Sequence, residues 1–516
     1  MSDVTRTEHA KSNIVASVVS YLVKMVCAFV SRTILIKYLG VMYLGLNGLF
    51  TGILSMLSLA ELGIGSALVF SLYKPIADND EEKVKQLLKL YKNTYTIIGL
   101  IVMGVGVCLM PFLKSLIADE ATIPTNINIY IVYFIFVLNS ALSYFVAYKR
   151  SLLFVCQRTD VENKSDMCIQ IISTAVQCLF VILLKNYYSL VIISLIFVVI
   201  QNIVITIITN KLYPQYNGRP KEDLPKDEKT AITKNVGALL FHKIGAVVAS
   251  SGVDSIVISA FIGIVELGKY SNYLMIMTYI SSIISLVVVA LKGGIGNSLV
   301  EKNVEDNKKI FYKLNFALFW IIGFCGICLM NLFNPFIQVW IGEEFKMSIL
   351  FVILFSVQFF ITNMRLMVNS YKECLGYFKQ DMFKPLIESI LNILISIILA
   401  KNIGIIGVVL GTIMSQVIAC VWFEPWILYK NYFKESVFKY WAKIIYYIII
   451  IVGAAFVTYF ICYFIKLDNV VGLILKSAIC LVVPNLIFII FYFKTAEFRE
   501  LFDIIKVQIF KKKKKI

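Results

Sequence analysis

Charged residues are scarce in this chain, and their scarcity excludes a soluble protein. Only 16% of the 516 residues are charged and 59% are hydrophobic, whereas a typical soluble domain is about 25% charged. At about 20 apolar residues per membrane crossing, this hydrophobic content is enough for about fourteen transmembrane helices. The apolar runs are continuous rather than alternating, which excludes an outer-membrane barrel.

Histidine and patterned cysteine are also lacking, and with them the usual signals of metal and disulfide chemistry. The chain has two histidines, His9 and His242. All eleven cysteines fall in or beside apolar runs, and the CxxC formed by Cys325 and Cys328 has no second pair at zinc spacing. We therefore expect no metal, no cofactor and no catalytic residue.

Long apolar runs bounded by charge predict an all-α polytopic membrane protein with 14 transmembrane helices. Their expected limits are 13–38, 44–73, 94–117, 127–155, 167–184, 188–211, 232–262, 267–299, 311–338, 348–374, 382–400, 403–429, 441–465 and 470–493. No small-residue cleavage site follows the first run, so we expect no cleavable signal.

Basic residues exceed acidic residues by 17, and they are distributed unevenly between the loops on the two sides of the membrane. With the N-terminus inside, the cytoplasmic segments hold 37 of the 49 Lys and Arg residues, and the opposite loops hold seven. This asymmetry predicts that both termini are cytoplasmic. The basic surplus thus indicates orientation rather than nucleic-acid binding. We expect Lys511 to Lys515 to form a flexible tail near anionic lipid headgroups.

Two stretches of the chain, 223 residues apart, repeat one another. KYLGVMYLGLNGLF contains Gly40 and Gly45, and AFIGIVELGKYSNYL contains Gly263 and Gly268. AELGIGSALV likewise resembles LKGGIGNSLV. Because six predicted spans separate the copies, both cross the membrane in the same direction. We expect two six-helix bundles related by a pseudo-two-fold axis along the membrane normal.

The domain organisation follows from this repeat. We expect an N-terminal six-helix bundle at 1–212, a cytoplasmic linker with three prolines at 213–230, and a C-terminal six-helix bundle at 231–430. Helices 13 and 14, at 431–493, have no counterpart in the repeat and appear as an addition. A basic cytoplasmic tail follows at 494–516.

Charged side chains inside the predicted spans are functional candidates, because a charge at bilayer depth costs about 2.5–3.5 kcal/mol. The candidate substrate-binding cations of the cavity are Arg32, Lys24, Lys243, Lys292 and Arg365. The candidates for ion coupling or gating are Asp254, Glu61 and Glu388. The repeat sets Glu61 opposite Lys292, and eleven residues of helix put Lys243 and Asp254 on one face. Static ion pairs that fix packing are the alternative.

Other polar residues in the spans have simpler explanations. Charges at helix ends can reach the membrane interface, which accounts for Glu373, Glu424 and Lys476. Tyr270 and Tyr273 are candidates for stacking on sugar rings, although aromatic residues in spans are ordinarily packing and interface residues.

The stretch SRTILIKYLGVMYLGLNGLFTGILSMLSLAELGIGSALVFSLYKPIADND resembles the Wzx-type polysaccharide flippases of the multidrug/oligosaccharidyl-lipid/polysaccharide exporter superfamily. The resemblance implies a V-shaped pair of bundles that moves undecaprenyl-pyrophosphate-linked oligosaccharide across the bacterial plasma membrane by alternating access. By position, Arg32 and Lys24 match the cationic helix-one residues of the related lipid II flippases, and Lys243 and Arg365 would be further cavity cations. Helices 13 and 14 would guide the polyprenyl tail.

Two other functions stay open. A cation-coupled multidrug exporter of the same superfamily would use acidic cavity groups, which Arg32 and Lys243 disfavour. A membrane-embedded polysaccharide polymerase would need larger loops than the short outer loops predicted here. The expected partners are the lipid-linked oligosaccharide, membrane lipids, H⁺ or Na⁺, and polymerase and chain-length proteins. The glycan itself, from a capsule, an O-antigen or a similar polymer, is not specified.

Overall fold

The computed structural model is all-helical, and it describes residues 3–57, 64–119, 123–230, 251–377 and 379–513. Apolar spans form helices because every backbone N–H and C=O in hydrocarbon must bond within its own segment. The helices are α1 (Asp3–Tyr38), α2 (Val41–Leu57), α3 (Ile64–Ala77), α4 (Glu81–Leu109), α5 (Ile129–Tyr144), α6 (Ala147–Val155), α7 (Thr159–Leu184), α8 (Tyr187–Leu212), α9 (Ser251–Phe261), α10 (Ile264–Glu301), α11 (Val304–Ile341), α12 (Ile349–Met364), α13 (Leu366–Cys374), α14 (Lys384–Ile403), α15 (Ile405–Gln416), α16 (Phe423–Leu428), α17 (Phe438–Tyr463), α18 (Val470–Tyr492) and α19 (Ala496–Lys513).

The chain is a multi-pass membrane protein. In the described ranges, 11 candidate spans are long and apolar enough to cross a membrane, and up to 12 if the bent pair α5 and α6 is one span. The shorter apolar helices α2 and α9 border segments 58–63 and 231–250, which lie outside the described residues. The predicted spans 44–73 and 232–262 include those segments.

Charged first turns lengthen two helices beyond their predicted limits. α4 begins at Glu81 rather than at 94, because the Asp80 side chain caps it by accepting from the amide of Lys83 at 2.9 Å. α11 begins at Val304 rather than at 311, and Asn303 caps it in the same way. Acidic residues in both first turns complement the helix dipole.

The C-terminal segment is more ordered than predicted. The flexible tail predicted for Lys511 to Lys515 is wrong for its first three residues, because α19 continues to Lys513. α19 packs against α11, where the Phe498 ring stacks on Trp320 with 5.9 Å between centroids. Glu500 pairs with Lys313 at 2.7 Å. One apolar and one ionic contact therefore dock the start of the tail.

The chain forms two compact units, Met1–Gly268 and Lys269–Ile516. In the first, α4 packs against α3, α5 and α6 around a core that includes Val84, Leu88 and Tyr91. α7 packs between α1 and α8. In the second unit, α11 packs against α12, α17 and α18, and α14 packs against α15.

Gly40 and Gly263, which are equivalent in the repeat, end α1 and α9 in the same way. Their φ angles are +104° and +131°, in the left-handed region that favours glycine. Each amide donates to the carbonyl five residues earlier, at 3.1 Å to Leu35 and 2.8 Å to Ile258. The two copies therefore share one helix-ending turn and begin the next helix alike.

α2 and α10 begin with a reciprocal close contact, here called the glycine crossing. Gly45 lies against the backbone carbonyl and side chain of Ile264, and Gly268 lies against those of Val41. Val41 and Ile264 are 223 residues apart, as are Gly45 and Gly268. The contact therefore joins equivalent positions of the two repeat copies reciprocally.

Replacing Gly45 by alanine should separate the glycine crossing, because the added Cβ would overlap the carbonyl of Ile264. Overpacking of this kind costs about 1–3 kcal/mol, so we expect the purified Gly45→Ala protein to melt at a lower temperature in detergent. Gly104→Ala is the matched control, since nothing lies within 4 Å of its Cβ position. A Gly45→Ala protein that melts with the wild type would contradict the crossing.

Candidate functional site

Arg365 lies at the junction of α12 and α13, and two carboxylates bind its guanidinium group. Its Nε and Nη2 donate to Glu424 at 3.0 and 2.7 Å, and its Nη1 donates to Glu388 at 3.3 Å. Glu424 is fully buried and Glu388 is 7% exposed. The fork of two bonds to Glu424 is the stronger interaction. The structure thus brings Arg365 and Glu388 together and adds Glu424.

Two buried lysines extend this arrangement. Lys384, at the start of α14, donates to Glu424 and lies 3.5 Å from Asp381. Lys372, on α13, donates to Asp381 and, at 3.3 Å, to Asn369. Three positive and three negative groups thus balance one another, as burial of charge requires. The six-charge cluster consists of Arg365, Lys372, Asp381, Lys384, Glu388 and Glu424.

Irregular helix geometry precedes Glu424. Residues Val417–Val421 form a π-helical segment between α15 and α16. Pro425 has no N–H to donate to the carbonyl of Val421, so the regular hydrogen-bond pattern breaks here. Within the π-helical segment, the Cys420 thiol donates to Glu388 at 3.0 Å. π-helical turns are frequent at functional sites.

Lys292, another predicted cation, pairs with Glu373 in the second unit. The two groups are 2.5 Å apart, and their side chains are 33% and 49% exposed. This pair is accessible, so it contributes less to stability than the buried cluster. The prediction that Glu373 is a helix-end charge agrees with its exposure.

A second charged cluster lies in the first unit. Arg150, on α6, donates to Glu162 at 2.7 Å and to Asp166 at 3.3 Å, both on α7. Gln201, on α8, donates to Asp166 at 2.5 Å. The predicted cation Lys24, on α1, lies 3.8 Å from Asp166. Lys24 therefore faces a carboxylate, as Lys292 and Arg365 do.

Of the remaining predicted site residues, the structure describes Arg32 and Asp254 but not Glu61 and Lys243. Arg32 is half-buried on α1, and Asp254 is buried on α9. Glu61 and Lys243 lie outside the described residues, and so does the predicted common face of Lys243 with Asp254.

Tyr270 and Tyr273 have the packing role that is ordinary for aromatic residues in spans, and the alternative of stacking on sugar rings is wrong for this structure. Both side chains are fully buried, and both rings pack against Phe351. The Tyr273 hydroxyl donates to Asn334 at 2.5 Å and accepts from the amide of Met347 at 2.9 Å. These tyrosines therefore hold helices together.

An apolar cavity of about 500 Å³ lies in the second unit, and one of its lining residues is the sequence neighbour of Arg365. It is lined by α11, α12, the π-helical segment and α17, with Gly326, Phe360 and Trp441 among the lining residues. Met364 also lines it and directly precedes Arg365. An apolar cavity whose lining ends next to a charged residue in the chain suits an amphiphile with a hydrocarbon chain and a charged head.

Sequence reasoning missed four members of the cluster. Glu424 was interpreted as a helix-end charge, Lys372 and Lys384 were counted with the cytoplasmic basic residues at the ends of their spans, and Asp381 lies between the predicted spans 348–374 and 382–400. One signal was present: the carboxylate of Glu424 stands directly before Pro425 in the apolar run VWFEPWIL. A charge beside a helix-breaking residue marks a place where the helix departs from regular geometry.

Comparison with solved structures identifies the fold. The structure is similar to the lipid II flippase MurJ in an inward closed conformation, with a TM-score of 0.66 and 18% identity over 93% of this chain and 98% of that one. It is also similar to an inward-facing multidrug resistance MATE family transporter of the MOP superfamily, with a TM-score of 0.59 and 14% identity over 77% of this chain and 93% of that one. A mutant of the Vibrio cholerae MATE transporter VcmN is similar as well, with a TM-score of 0.57 and 14% identity over 83% of this chain and 99% of that one.

Sequence comparison identifies the family. No curated protein matches the sequence of this chain. Residues 10–292 match the family described as "Polysaccharide biosynthesis protein". Because this match spans more than half of the sequence, the chain belongs to the polysaccharide biosynthesis protein family, and the predicted resemblance to its Wzx-type members is confirmed.

Proposed function

We propose that this protein is a flippase for undecaprenyl-pyrophosphate-linked oligosaccharide repeat units, acting by alternating access in the bacterial plasma membrane. Its product would supply a capsule, an O-antigen or a similar surface polysaccharide. The family match over residues 10–292 is the observation that carries the proposal. The structural neighbour MurJ is described as a flippase of lipid II, which supports a lipid-linked substrate.

The proposed architecture has fourteen spans. Two six-helix bundles, 1–212 and 231–430, would be joined by the linker 213–230 and related by a pseudo-two-fold axis along the membrane normal. Helices 13 and 14 would lie within 431–493, before the tail 494–516, and both termini would be cytoplasmic. The self-complementary glycine crossing supports the axis, since only a two-fold relation makes such a contact its own image.

The apolar cavity and the six-charge cluster support an amphiphilic substrate. In this proposal the cavity takes part of the polyprenyl chain, and the cluster lies near the pyrophosphate. A pyrophosphate crossing a low-dielectric region needs cations that form charge-assisted hydrogen bonds. We assign this role to Arg32, Lys24, Lys243, Lys292 and Arg365.

Three of these cations face carboxylates, which suggests how the site changes state. Arg365 has Glu388 and Glu424, Lys292 has Glu373, and Lys24 has Asp166. In this mechanism a substrate phosphate replaces a carboxylate. Each cation then keeps an anionic partner throughout the cycle, which for the buried Arg365 avoids an uncompensated charge.

Glu388 is the proposed exchangeable partner of Arg365. Its single hydrogen bond to the guanidinium is 3.3 Å long. Glu424, in contrast, accepts two hydrogen bonds from the guanidinium and a third from the ammonium group of Lys384. Protonation of Glu388, or Na⁺ binding to it, would free one edge of the guanidinium for a phosphate. Asp254 and Glu61 are further proposed coupling groups.

A multidrug exporter is the second candidate, because several structural neighbours are MATE transporters. The two functions differ in substrate charge. A lipid-linked pyrophosphate is an anion that needs Arg32 and the other cations, whereas a cationic drug would be repelled by them.

Deletion of the gene should trap lipid-linked repeat units in the inner leaflet and remove the surface glycan, because the proposed carrier of the pyrophosphate across the membrane is lost. Leaflet-specific labelling of the lipid-linked sugar measures this. A mutant that keeps its surface glycan but accumulates a cationic dye would instead support the drug exporter.

Arg32→Ala should abolish complementation of the deletion at a normal protein level, because a cation proposed to meet the pyrophosphate is lost. Lys37→Ala, at the end of the same helix, is the control and should complement. Glycan export that persists in Arg32→Ala would remove Arg32 from the site.

The two carboxylates of Arg365 should differ when replaced. Glu424→Gln should lower the free energy of unfolding by about 3–5 kcal/mol, since Arg365 and Lys384 then share a deficit of buried negative charge. Glu388→Gln should remain folded but lose the dependence of transport on the ion gradient. Thermal unfolding in detergent and transport in proteoliposomes measure the two effects.

Glu343→Gln is the control for this pair of variants, because Glu343 is 75% exposed in its pair with Lys346. We expect it to change stability by less than about 1 kcal/mol. If Glu388→Gln transports with the same ion dependence as the wild type, Glu388 is not the coupling group.

A further inference from the structure

A basic pocket of about 750 Å³ lies within the first unit. Its walls are α4, α6, α8 and the beginning of the linker after α8. The volume falls in the range of about 300–1,000 Å³ that is typical of ligand sites. None of the described residues that line it carries a carboxylate, whereas five are cations: Lys85, Lys89, Lys92, Lys149 and Arg219.

Lys149 distinguishes the basic pocket from a solvated cluster of lysines. It is 6% exposed, and its ammonium group donates to the side-chain oxygens of Asn210 at 2.6 Å and Asn217 at 3.2 Å. Both acceptors are neutral amides. The next residue, Arg150, has two carboxylates instead. No carboxylate is among these acceptors, so an anion in the pocket would supply the negative partner that a buried ammonium favours.

The pocket wall formed by the linker is held in place. Asn217 donates to the carbonyl of Asn210 on α8 at 3.0 Å. Asp223 accepts from Lys89 on α4 at 2.5 Å, and this hydrogen bond holds the pKa of the Asp223 carboxyl below its ordinary value. Glu228 pairs with Lys83. The pocket is therefore a built feature rather than a gap beneath a loose loop.

Exposed apolar side chains continue from the pocket along both helices that flank it. On α4, Ile97 and Leu100 follow the pocket residue Asn93 and are 57% and 51% exposed. On α8, Ile203 and Ile207 flank the pocket residue Thr206 and are 53% and 49% exposed. Cations at the end of an apolar, outward-facing surface are what the headgroup region of a membrane meets.

We propose that the basic pocket binds the phosphate headgroup of an anionic phospholipid from the cytoplasmic leaflet. The ligand chemistry is a phosphate, and the adjoining apolar surface favours a lipid as its source. Basic pockets between transmembrane helices on the cytoplasmic side bind anionic lipid headgroups in this way. The site is separate from the transported substrate, and it would link lipid composition to the position of the linker.

The full-length protein in nanodiscs of neutral lipid, with phosphatidylglycerol added in steps, tests the proposal. Native mass spectrometry counts the phosphatidylglycerol molecules that each variant retains. Lys85→Gln combined with Lys92→Gln should lower retention about thirtyfold, because each interfacial lysine adds to the attraction of an anionic lipid. Lys211→Gln, an exposed lysine of α8 outside the pocket, is the matched control and should retain lipid like the wild type.

Lys149→Gln should also lower retention, by about fivefold for the loss of one lysine, and the melting temperature in neutral lipid shows whether each variant is folded. Inorganic phosphate and pyrophosphate form the second arm, measured by calorimetry in neutral lipid. Equal retention of phosphatidylglycerol by the double variant and the Lys211→Gln control overturns the proposal. A second result also overturns the proposal of a lipid ligand. In that result the wild type binds pyrophosphate tightly, the double variant does not, and phosphatidylglycerol is not preferentially retained.

Discussion

The second unit depends on one constraint: each charged side chain buried away from water must be neutralised by a charge of the opposite sign. Arg365 enters the apolar interior only because Glu424 and Glu388 neutralise it, and Glu424 is fully buried only because Arg365 and Lys384 hold it. Since these residues come from α12–α13, α14 and α16, their pairing also fixes how the three segments meet. Local irregularities follow, including the helix break at Arg365 and the π-helical segment before Glu424.

The same constraint links the buried charges to the proposed transport. A membrane transporter that moves an anion needs cations in the apolar interior, and those cations need partners when the substrate is absent. Carboxylates face the buried Arg365 and the more exposed Lys292 and Lys24, so cations with anionic partners occur in both units. The apolar cavity beside the cluster offers hydrocarbon a place close to the charge. The basic pocket is different, because Lys149 has neutral partners and its surroundings favour an anion from outside.

The sequence repeat is accompanied by matching local features in the structure. Gly40 and Gly263 end equivalent helices with the same turn. In the glycine crossing, Gly45 contacts Ile264 and Gly268 contacts the equivalent residue Val41. These features were predictable because glycine is required where φ is positive or where backbones touch. The predicted starts of α4 and α11 were late, because hydropathy does not register the polar, capped turns that precede an apolar span.

The sequence by itself determined that the chain is an all-helical membrane protein, that it contains a repeat, and which family it belongs to, because hydropathy, glycine spacing and sequence similarity are properties of short segments. It also selected Arg365 and Glu388, since a charge within an apolar run is visible in one segment. Only the tertiary structure decided that these two residues face each other, that Glu424 is buried against Arg365 and Lys384, and that Tyr270 and Tyr273 are packed away. Pairing depends on side chains from helices far apart in the chain, and spacing along one helix carries no information about its neighbours.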